Sequence, residues 1–587
     1  MFKSCSPYLK LFSDKGVKWY YSLDKELLNR VQEEDKLIFL HIGYISNITA
    51  RESSFNLFSN KHVISTLNEN FISIIEDKED KPESYLLALD LLFLNQDFSY
   101  GPINVFITPN RKPIIAFSNS DPENFLEIVN SLLLAKKEKR EKLYLMSEEL
   151  SKRAINTGVI TEKENGSNID KKLLEKYLEI WFDNMFESDI LYRLTPFTPN
   201  PYNILVILEY IKSYPNELYE SRVENLLDHL QFSAIFDVID GGFFSQATDF
   251  SCSKPLFEKT LEENSQFLLV YAMAYDMFRK ESYRETALKT YEFIINELSN
   301  ENYGLINSTT LISKYEDAVY YSYSINELSI IFPERYMQVA TSLELDLTQN
   351  RMSRQLPSRG LNTYYFISVD DLRLLRERRR EHRGLYKDIR SISASNLLAV
   401  SSMCKASEYL SDTEIAQKAV DIFEYIVYKN IDKSNGRLYR YTCCSDSYLF
   451  GYLSDYAYLI EASLELYKKR GNKEFLHVAK RYTDIVIEKF YKSENGMFSK
   501  SERDVISDTV PFKRESNIDV VKPSANSIMA GNLISLFDLS YNHKYLDIVR
   551  QQIFNIAPNL LNSGPMLSSW AQKILKYIKI DYDQLSE

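Results

Sequence analysis

Apolar positions follow two different periods along this chain of 587 residues. Through the first 135 residues, short apolar runs bounded by charges alternate with stretches of helical spacing. Lys36–Tyr44 (KLIFLHIGY), Phe71–Ile75, Ile103–Thr108 and Pro113–Phe117 read as buried strands, the last two joined by the turn Pro109-Asn110-Arg111-Lys112. Asp24–Glu33, Asn60–Asn68 and Pro122–Leu134 carry the 3.6-residue spacing of amphipathic helices. The pattern predicts an α/β unit with a parallel start and an antiparallel hairpin end, the order of a thioredoxin-like fold.

From Leu173 onward the period is helical throughout. Thr260–Phe278, Tyr283–Leu298, Ser393–Leu410, Thr413–Tyr428, Tyr452–Lys469, Lys473–Phe490 and Ser524–Tyr541 are predicted helices. Gly-containing breaks separate them at Asp240-Gly241-Gly242, Asn302-Tyr303-Gly304, Ser434-Asn435-Gly436 and Asn495-Gly496. Roughly 35 residues per helix with its loop allows about twelve helices, which suits a closed ring of six helical hairpins; an open α-solenoid is the alternative. The predicted division is residues 1–140 as the α/β domain, 141–172 as a charged helix and linker, and 173–587 as an (α/α)6 toroid.

Composition narrows the classes. Glycine (16) and proline (17) are scarce, which disfavours an all-β fold with its many turns. A net charge of −12 argues against nucleic acid as partner. The cysteines Cys5, Cys252, Cys404, Cys443 and Cys444 form no disulfide framework and no paired metal-ligand spacing. Neither a signal-peptide apolar run nor an 18-residue apolar run is visible, so a cytoplasmic protein away from membranes is expected.

Several segments carry a resemblance: Glu33–Tyr44 (EEDKLIFLHIGY), Leu67–Ser73, Pro102–Pro109, Ile235–Phe243 (IFDVIDGGF), Pro255–Asn264 (PLFEKTLEEN), Leu453–Leu466 and Pro523–Asn532 (PSANSIMAGN). In this order the chain resembles the spermatogenesis-associated protein 20-like proteins, which include bacterial YyaL-type proteins. The resemblance implies a thioredoxin-like domain joined to an (α/α)6 toroid of the six-hairpin glycosidase and sugar-epimerase type.

The departures from that family bear on function. Where it places a C-H-W-C-H segment, this chain reads Ile45-Ser46-Asn47-Ile48-Thr49-Ala50, without the thiolate and resolving thiol that disulfide exchange requires. The family's G-G-F-H-R-Y becomes Gly241-Gly242-Phe243-Phe244-Ser245-Gln246, and its P-H-F-E-K-M-L becomes Pro255-Leu256-Phe257-Glu258-Lys259-Thr260-Leu261. The carboxylates left at matched positions, Asp237, Glu258 and Asp455, are the candidate catalytic groups. Helix capping for Glu258 and Asp455, and a buried structural role for Asp237, are the competing readings. Gly241, Gly242, Asn396 and Asn526 are the candidate ligand-binding residues, the asparagines otherwise holding helix-end backbone. A two-histidine epimerase centre has little support, because His62, His229, His477 and His543 sit in polar helical contexts. Arg373–Arg383 (RLLRERRREHR) reads as a solvated helix face, with an anion site as the sharper alternative.

The expected function is a redox-inactive thioredoxin-like domain and a degenerate toroid acting in ligand or protein binding. The alternative is a sugar epimerase or glycoside hydrolase using carboxylates at the toroid mouth. A sugar-like small molecule or a protein is the expected partner, with no cofactor and no metal.

Overall fold

The computed structural model describes residues 5–46, 48–95, 101–118, 121–156, 170–187, 196–300, 304–311, 319–359, 367–382, 384–444, 446–502, 517–519 and 522–580. Contacts divide the chain into two compact units: Met1–Thr161 with Phe498–Glu515, and Glu162–Met497 with Ser516–Glu587. The first unit therefore takes in a late segment that the sequence reading left in the toroid; there Lys500 Nζ donates to the Pro82 carbonyl at 2.9 Å.

In the first unit five strands, β1 (Trp19–Tyr20), β2 (Leu37–Gly43), β3 (Phe71–Asp77), β4 (Ile103–Ile107) and β5 (Pro113–Phe117), form one sheet in the order β1-β3-β2-β4-β5. β1 and β2 run parallel to β3, whereas β4 is antiparallel to both β2 and β5, as the pattern predicted. Successive side chains of a strand point to opposite faces, so β2 feeds two cores. Ile38, Leu40 and Ile42 join Ile72, Ile74 and Val105 on the aliphatic face. Phe39 packs on the other face with Phe106 and Phe125, at ring separations of 5.1 and 5.5 Å. The helices Lys25–Glu33, Lys61–Asn70 and Pro122–Glu138 are N-capped by Asp24, Asn60 and Asp121, each accepting a backbone N–H of the first turn.

Among the described residues the ring of the second unit is built from twelve helices: α1 (Lys171–Glu187), α2 (Pro201–Ser213), α3 (Glu217–Phe232), α4 (Leu261–Phe278), α5 (Glu281–Glu297), α6 (Ser393–Tyr409), α7 (Thr413–Asn430), α8 (Leu453–Arg470), α9 (Lys473–Phe490), α10 (Ala525–Ser540), α11 (His543–Ile556) and α12 (Ser568–Tyr577); shorter helices lie in its connections. The even-numbered helices pack each against the next, and α12 packs on α2, which closes an inner ring; each odd-numbered helix backs one inner helix from outside. The sixth hairpin joins the two ends of the toroid, α12 inside and α1 outside. This is an (α/α)6 toroid rather than an open solenoid. Burial follows the layers: α4, α6 and α8 bury most of their positions, whereas α9 and α11 bury one face.

Connections from an inner to the following outer helix are short, Arg279-Lys280 and Gly471-Asn472 among them. Those from an outer to the next inner helix are long and carry small β-ribbons, such as β6 (Glu258–Thr260) with β7 (Ser308–Thr310). One end of the ring thus holds the starts of the inner helices together with all the elaborate loops. The longest connection, between α5 and α6, includes the arginine-rich helix Val369–Glu381.

Candidate functional site

Each sequence-selected residue has a definite place at that end of the ring. Asp237 is fully buried between two cations. Lys259 Nζ lies 2.7 Å from its Oδ2 and Arg379 Nη1 2.9 Å from the same oxygen, while Arg379 also reaches Asp240 at 2.6 Å. Burial alone would raise the Asp237 pKa, but Arg379 and Lys259 outweigh it and hold the carboxyl well below the usual range. Lys259 also donates to the Gly241 carbonyl at 2.8 Å. Asp237 is thus the acceptor of a buried ion network, the structural alternative noted from the sequence.

The Arg373–Arg383 run is only partly the solvated face expected of it. Arg373 is exposed and bonds Glu377 at 3.1 Å. Arg379, on the opposite side of the same helix, is 1 % exposed and lies over the Tyr321 ring at 5.0 Å. Helical spacing cannot tell a buried arginine with two aspartate partners from its solvated neighbours.

The segment Pro255–Glu258, expected as a helix start, is instead an extended approach to the ring. Glu258 lies half-buried on β6, and α4 begins three residues later at Leu261, capped by Thr260. Gly241 and Gly242 take φ of +80° and +77°; a Cβ on Gly241 would stand 2.2 Å from the Lys289 carbonyl oxygen, and one on Gly242 2.5 Å from Phe293 Cδ1. Both glycines serve the close approach of their loop to α5.

Asn396, in the first turns of α6, accepts from Leu305 N at 2.8 Å and donates to Leu305 O and Ile392 O, each at 2.9 Å. Asn264, at the corresponding position of α4, does the same to Phe243 N and O at 2.7 and 3.1 Å. At that position of α8 the Tyr456 hydroxyl accepts from Leu438 N at 3.1 Å. Each of these side chains pins the residue just after a glycine turn of the preceding connection, so the Gly-containing breaks and the polar residue at the fourth helical position form one repeated device. Asn526, on α10, accepts from Gln552 of α11 at 3.1 Å.

Asp455 joins two inner helices. Its Oδ2 accepts from Tyr452 N at 2.8 Å, and its Oδ1 accepts from Ala394 N at 3.0 Å and from Arg440 at 2.8 Å, with no exposed surface. The structure therefore brings Asp237 together with Gly241 and sets Asp455 against the start of the helix that bears Asn396.

A second polar region runs between the inner helices themselves, and no motif marked it. Near their starts Glu262 of α4 accepts from Ser395 of α6 at 2.8 Å and pairs with Lys522, which precedes α10. Tyr202 of α2 donates to Gln572 of α12 at 2.6 Å, and Gln572 donates to Glu209 of α2 at 2.8 Å. Lys405 of α6 pairs with Glu461 of α8 at 3.0 Å. The Tyr458 hydroxyl of α8 is buried without a hydrogen-bond partner among the described residues. Burial pushes its pKa well up, and the nearby carboxylates Glu461, Glu262 and Asp519 push it further. Asp519 accepts from Ser569 N and Ser524 N at 2.7 and 2.8 Å; burial nonetheless raises its carboxyl to about 6. Lys573 of α12 bonds Gln572 and crosses Gly531 of α10, where a Cβ would meet its Cε at 2.9 Å. These groups come from five inner helices and the segment before α10, far apart in the chain, so no local run of sequence marks them as one region.

Burial lowers Lys573 to about 7, with Lys576 and Lys405 adding to the effect against Glu461 and Glu209. The unfolded chain keeps that proton up to ~10.4. Between about pH 7 and that value the unfolded state binds a proton the folded state lacks, so stability should rise with pH across this window. Lys573→Met should remove this component of the slope, as read from urea midpoints at pH 7 and pH 9. An unchanged slope would place the titrating group elsewhere.

In the first unit, His41 on β2 is buried between Tyr8 OH at 2.7 Å and Asn104 Oδ1 at 2.7 Å, and desolvation lowers it to about 4. The helix Ile48–Ser59 follows β2 where the family places its cysteine pair; its described residues include no cysteine. Cys252 and Cys404, both in the toroid, are buried, and desolvation pushes each thiol up to about 12.

These elements define a protein of two parts, a thioredoxin-like domain and an (α/α)6 toroid. Residues 1–154 match the family described as a protein of unknown function, DUF255 (Thioredox_DsbH). Along 92 % of its length the chain is similar to spermatogenesis-associated protein 20 of Rattus norvegicus, at 23 % identity over 605 residues and 76 % of that protein. Among solved structures it resembles a D-mannose isomerase (10 % identity, TM-score 0.47) and a GH76 α-mannanase of Bacteroides thetaiotaomicron (13 %, TM-score 0.43), each over 70 % of this chain and 98 % of the other. No helix among the described residues is long and apolar enough to cross a membrane.

Proposed function

We propose that this chain is a binding protein: a toroid that has kept its scaffold without acid–base chemistry at the matched carboxylates, joined in one chain to a redox-inactive thioredoxin-like domain. The observation that supports this reading is the state of Asp237 and Asp455. A glycosidase needs one carboxyl free to give a proton and another free to attack or to activate water. Asp237 is held ionised by two buried cations, and Asp455 is occupied by two backbone N–H groups and Arg440. Glu258 alone of the three retains exposed surface.

The ligand of this reading is a small polyhydroxylated molecule held between the inner helices. The unpartnered Tyr458 hydroxyl and the Glu262–Ser395–Lys522 cluster offer the mixed donors and acceptors that fix such a molecule. A panel of mono- and disaccharides should raise the melting temperature of the full chain without being turned over, and Tyr458→Phe should abolish the shift. Turnover of any panel sugar, lost in Glu258→Gln, would instead establish the carbohydrate-active reading. The same preparation should reduce insulin disulfides no faster than buffer; reduction above background would overturn the redox-inactive assignment.

A further inference from the structure

One buried nucleophile of the ring has no part in the binding reading: Lys573 of α12. It is 3 % exposed, and among the described residues its side-chain nitrogen makes no ion pair and one hydrogen bond, to Gln572 Oε1. The Tyr202 hydroxyl of α2 donates to that same oxygen at 2.6 Å, and Gln572 Nε2 donates to Glu209 of α2 at 2.8 Å. One side-chain amide therefore holds the lysine, the phenol and the carboxylate together. The charged groups that act on Lys573 are Lys576 on its own helix, Glu461 on α8, Lys405 on α6 and Glu209 on α2. Because α6 stands opposite α12 in the ring, an amine that feels both α2 and α6 points toward the axis. Its stem gets there past Gly531 of α10, where a Cβ would stand 2.9 Å from Cε and 3.4 Å from Nζ.

A buried lysine is ordinarily kept as a cation by a carboxylate in contact with it, as Lys405 is by Glu461 at 3.0 Å. Lys573 has no such contact among the described residues, and burial, with Lys576 and Lys405 adding to it, favours the neutral amine over the pull of Glu461 and Glu209. A neutral amine carries a lone pair and is a nucleophile toward carbonyl carbon. An oxyanion brought to the same point would meet the like charge of Glu209 and Glu461, whereas a neutral carbonyl compound meets none. Glu461 and Asp519 act on the Tyr458 hydroxyl as well as on Lys573, so the amine belongs to the polar region that the binding reading gives to a polyhydroxylated molecule.

We propose that Lys573 forms an imine with the aldehyde group of an open-chain aldose bound between the inner helices. The inference rests on the binding reading above and adds a covalent bond to it. The lone pair of the amine adds to the carbonyl carbon, and the carbonyl oxygen takes one of the nitrogen's protons, giving a carbinolamine. That hydroxyl then leaves as water with the second proton of the nitrogen, and C=N remains. Amine and aldehyde thus become imine and one water, with nothing oxidised or reduced. The hydroxyl groups along the sugar are left for Tyr458 and its neighbours.

Reductive trapping on the full, unmodified chain tests this. Cyanoborohydride converts an imine to a stable secondary amine, and peptide mass spectrometry locates it; glycolaldehyde and D-ribose are the aldehyde probes and ribitol the polyol without an aldehyde. At pH 7 both aldehydes should label Lys573 at least tenfold faster than Lys473, which is exposed at the start of α9. The labelling rate of Lys573 should level off above about pH 7, and ribitol should slow it by occupying the same place. Labelling of Lys573 no faster than that of Lys473 overturns the proposal. So does a rate that keeps climbing toward the ordinary lysine value of ~10.4, because that marks reaction through transient unfolding. Trapping of glycolaldehyde but not of D-ribose overturns the aldose assignment. The two readings separate on the melting temperature: stabilisation by ribitol with no aldehyde trapped overturns the imine alone, and D-ribose trapped with no polyol stabilising the chain overturns the non-covalent reading alone.

Discussion

Asp237→Asn should cost the toroid about 3–5 kcal/mol of stability, the usual penalty for leaving buried charge without its partner. Lys259 would stay in the interior without the carboxylate that holds it at 2.7 Å, keeping the Gly241 carbonyl, and Arg379 would be left with Asp240 as its carboxylate partner. The measurement is the urea midpoint of the full chain with Arg373→Gln as control, since an exposed arginine–glutamate pair contributes at most ~1 kcal/mol. The acid limb gives a second readout. The folded-state pKa of Asp237 is depressed, so its stabilisation is complete above the unfolded value of ~3.9 and is lost as pH falls below that toward the folded value. Asp237→Asn should therefore flatten the pH dependence of stability below about pH 4. A variant as stable as the parent would show that the network relaxes or hydrates, and would reopen Asp237 as a residue free for chemistry.

Asp455→Asn should be similarly severe, again about 3–5 kcal/mol, through a different set of bonds. An asparagine presents one acceptor oxygen where the carboxylate presents two. Either Tyr452 N or Ala394 N then loses its acceptor, and Arg440 loses its countercharge in a site closed to water. If Asp455 instead stood at an accessible mouth, as its place in the sequence suggested, the same change would stay within about 1 kcal/mol. Thermal unfolding with far-UV circular dichroism distinguishes the two outcomes. A small shift together with lost sugar binding would return Asp455 to the ligand site.

The secondary structure was largely legible because it is written in period. The helix expected over Lys473–Phe490 is found with those bounds, and that over Thr260–Phe278 begins one residue later. The continuous apolar run of Lys36–Tyr44 marked a buried strand, and the turn after Thr108 marked the antiparallel hairpin at the sheet's edge. What local pattern could not supply was partnership across long separations. Asp237 and Arg379 are 142 residues apart, and nothing near either records that they meet. A carboxylate at the start of a helix looks the same in sequence whether it only caps its own helix or, like Asp455, caps it and also closes a buried bridge to the next inner helix. Glu258 was misplaced because the proline before it suggested a helix start, whereas the three residues Glu258–Thr260 pair with Ser308–Thr310 before the helix begins. The polar groups between the inner helices were missed for the same reason: Tyr202, Gln572 and Glu209 form one chain of hydrogen bonds only after residues 370 positions apart have met.

The closure of the ring bears on how the protein is made. The last inner helix, α12, is the one that completes the circle against α2, and Trp181 of α1 donates to the Gly564 carbonyl at 2.8 Å across 383 residues. During synthesis at ~5–20 residues per second, the first two helices of the toroid must wait some tens of seconds for the segment that covers them. Through that interval the apolar face of α2, from Ile204 to Ile211, has no inner neighbour on one side. The nascent toroid thus passes through a crescent before it becomes a ring.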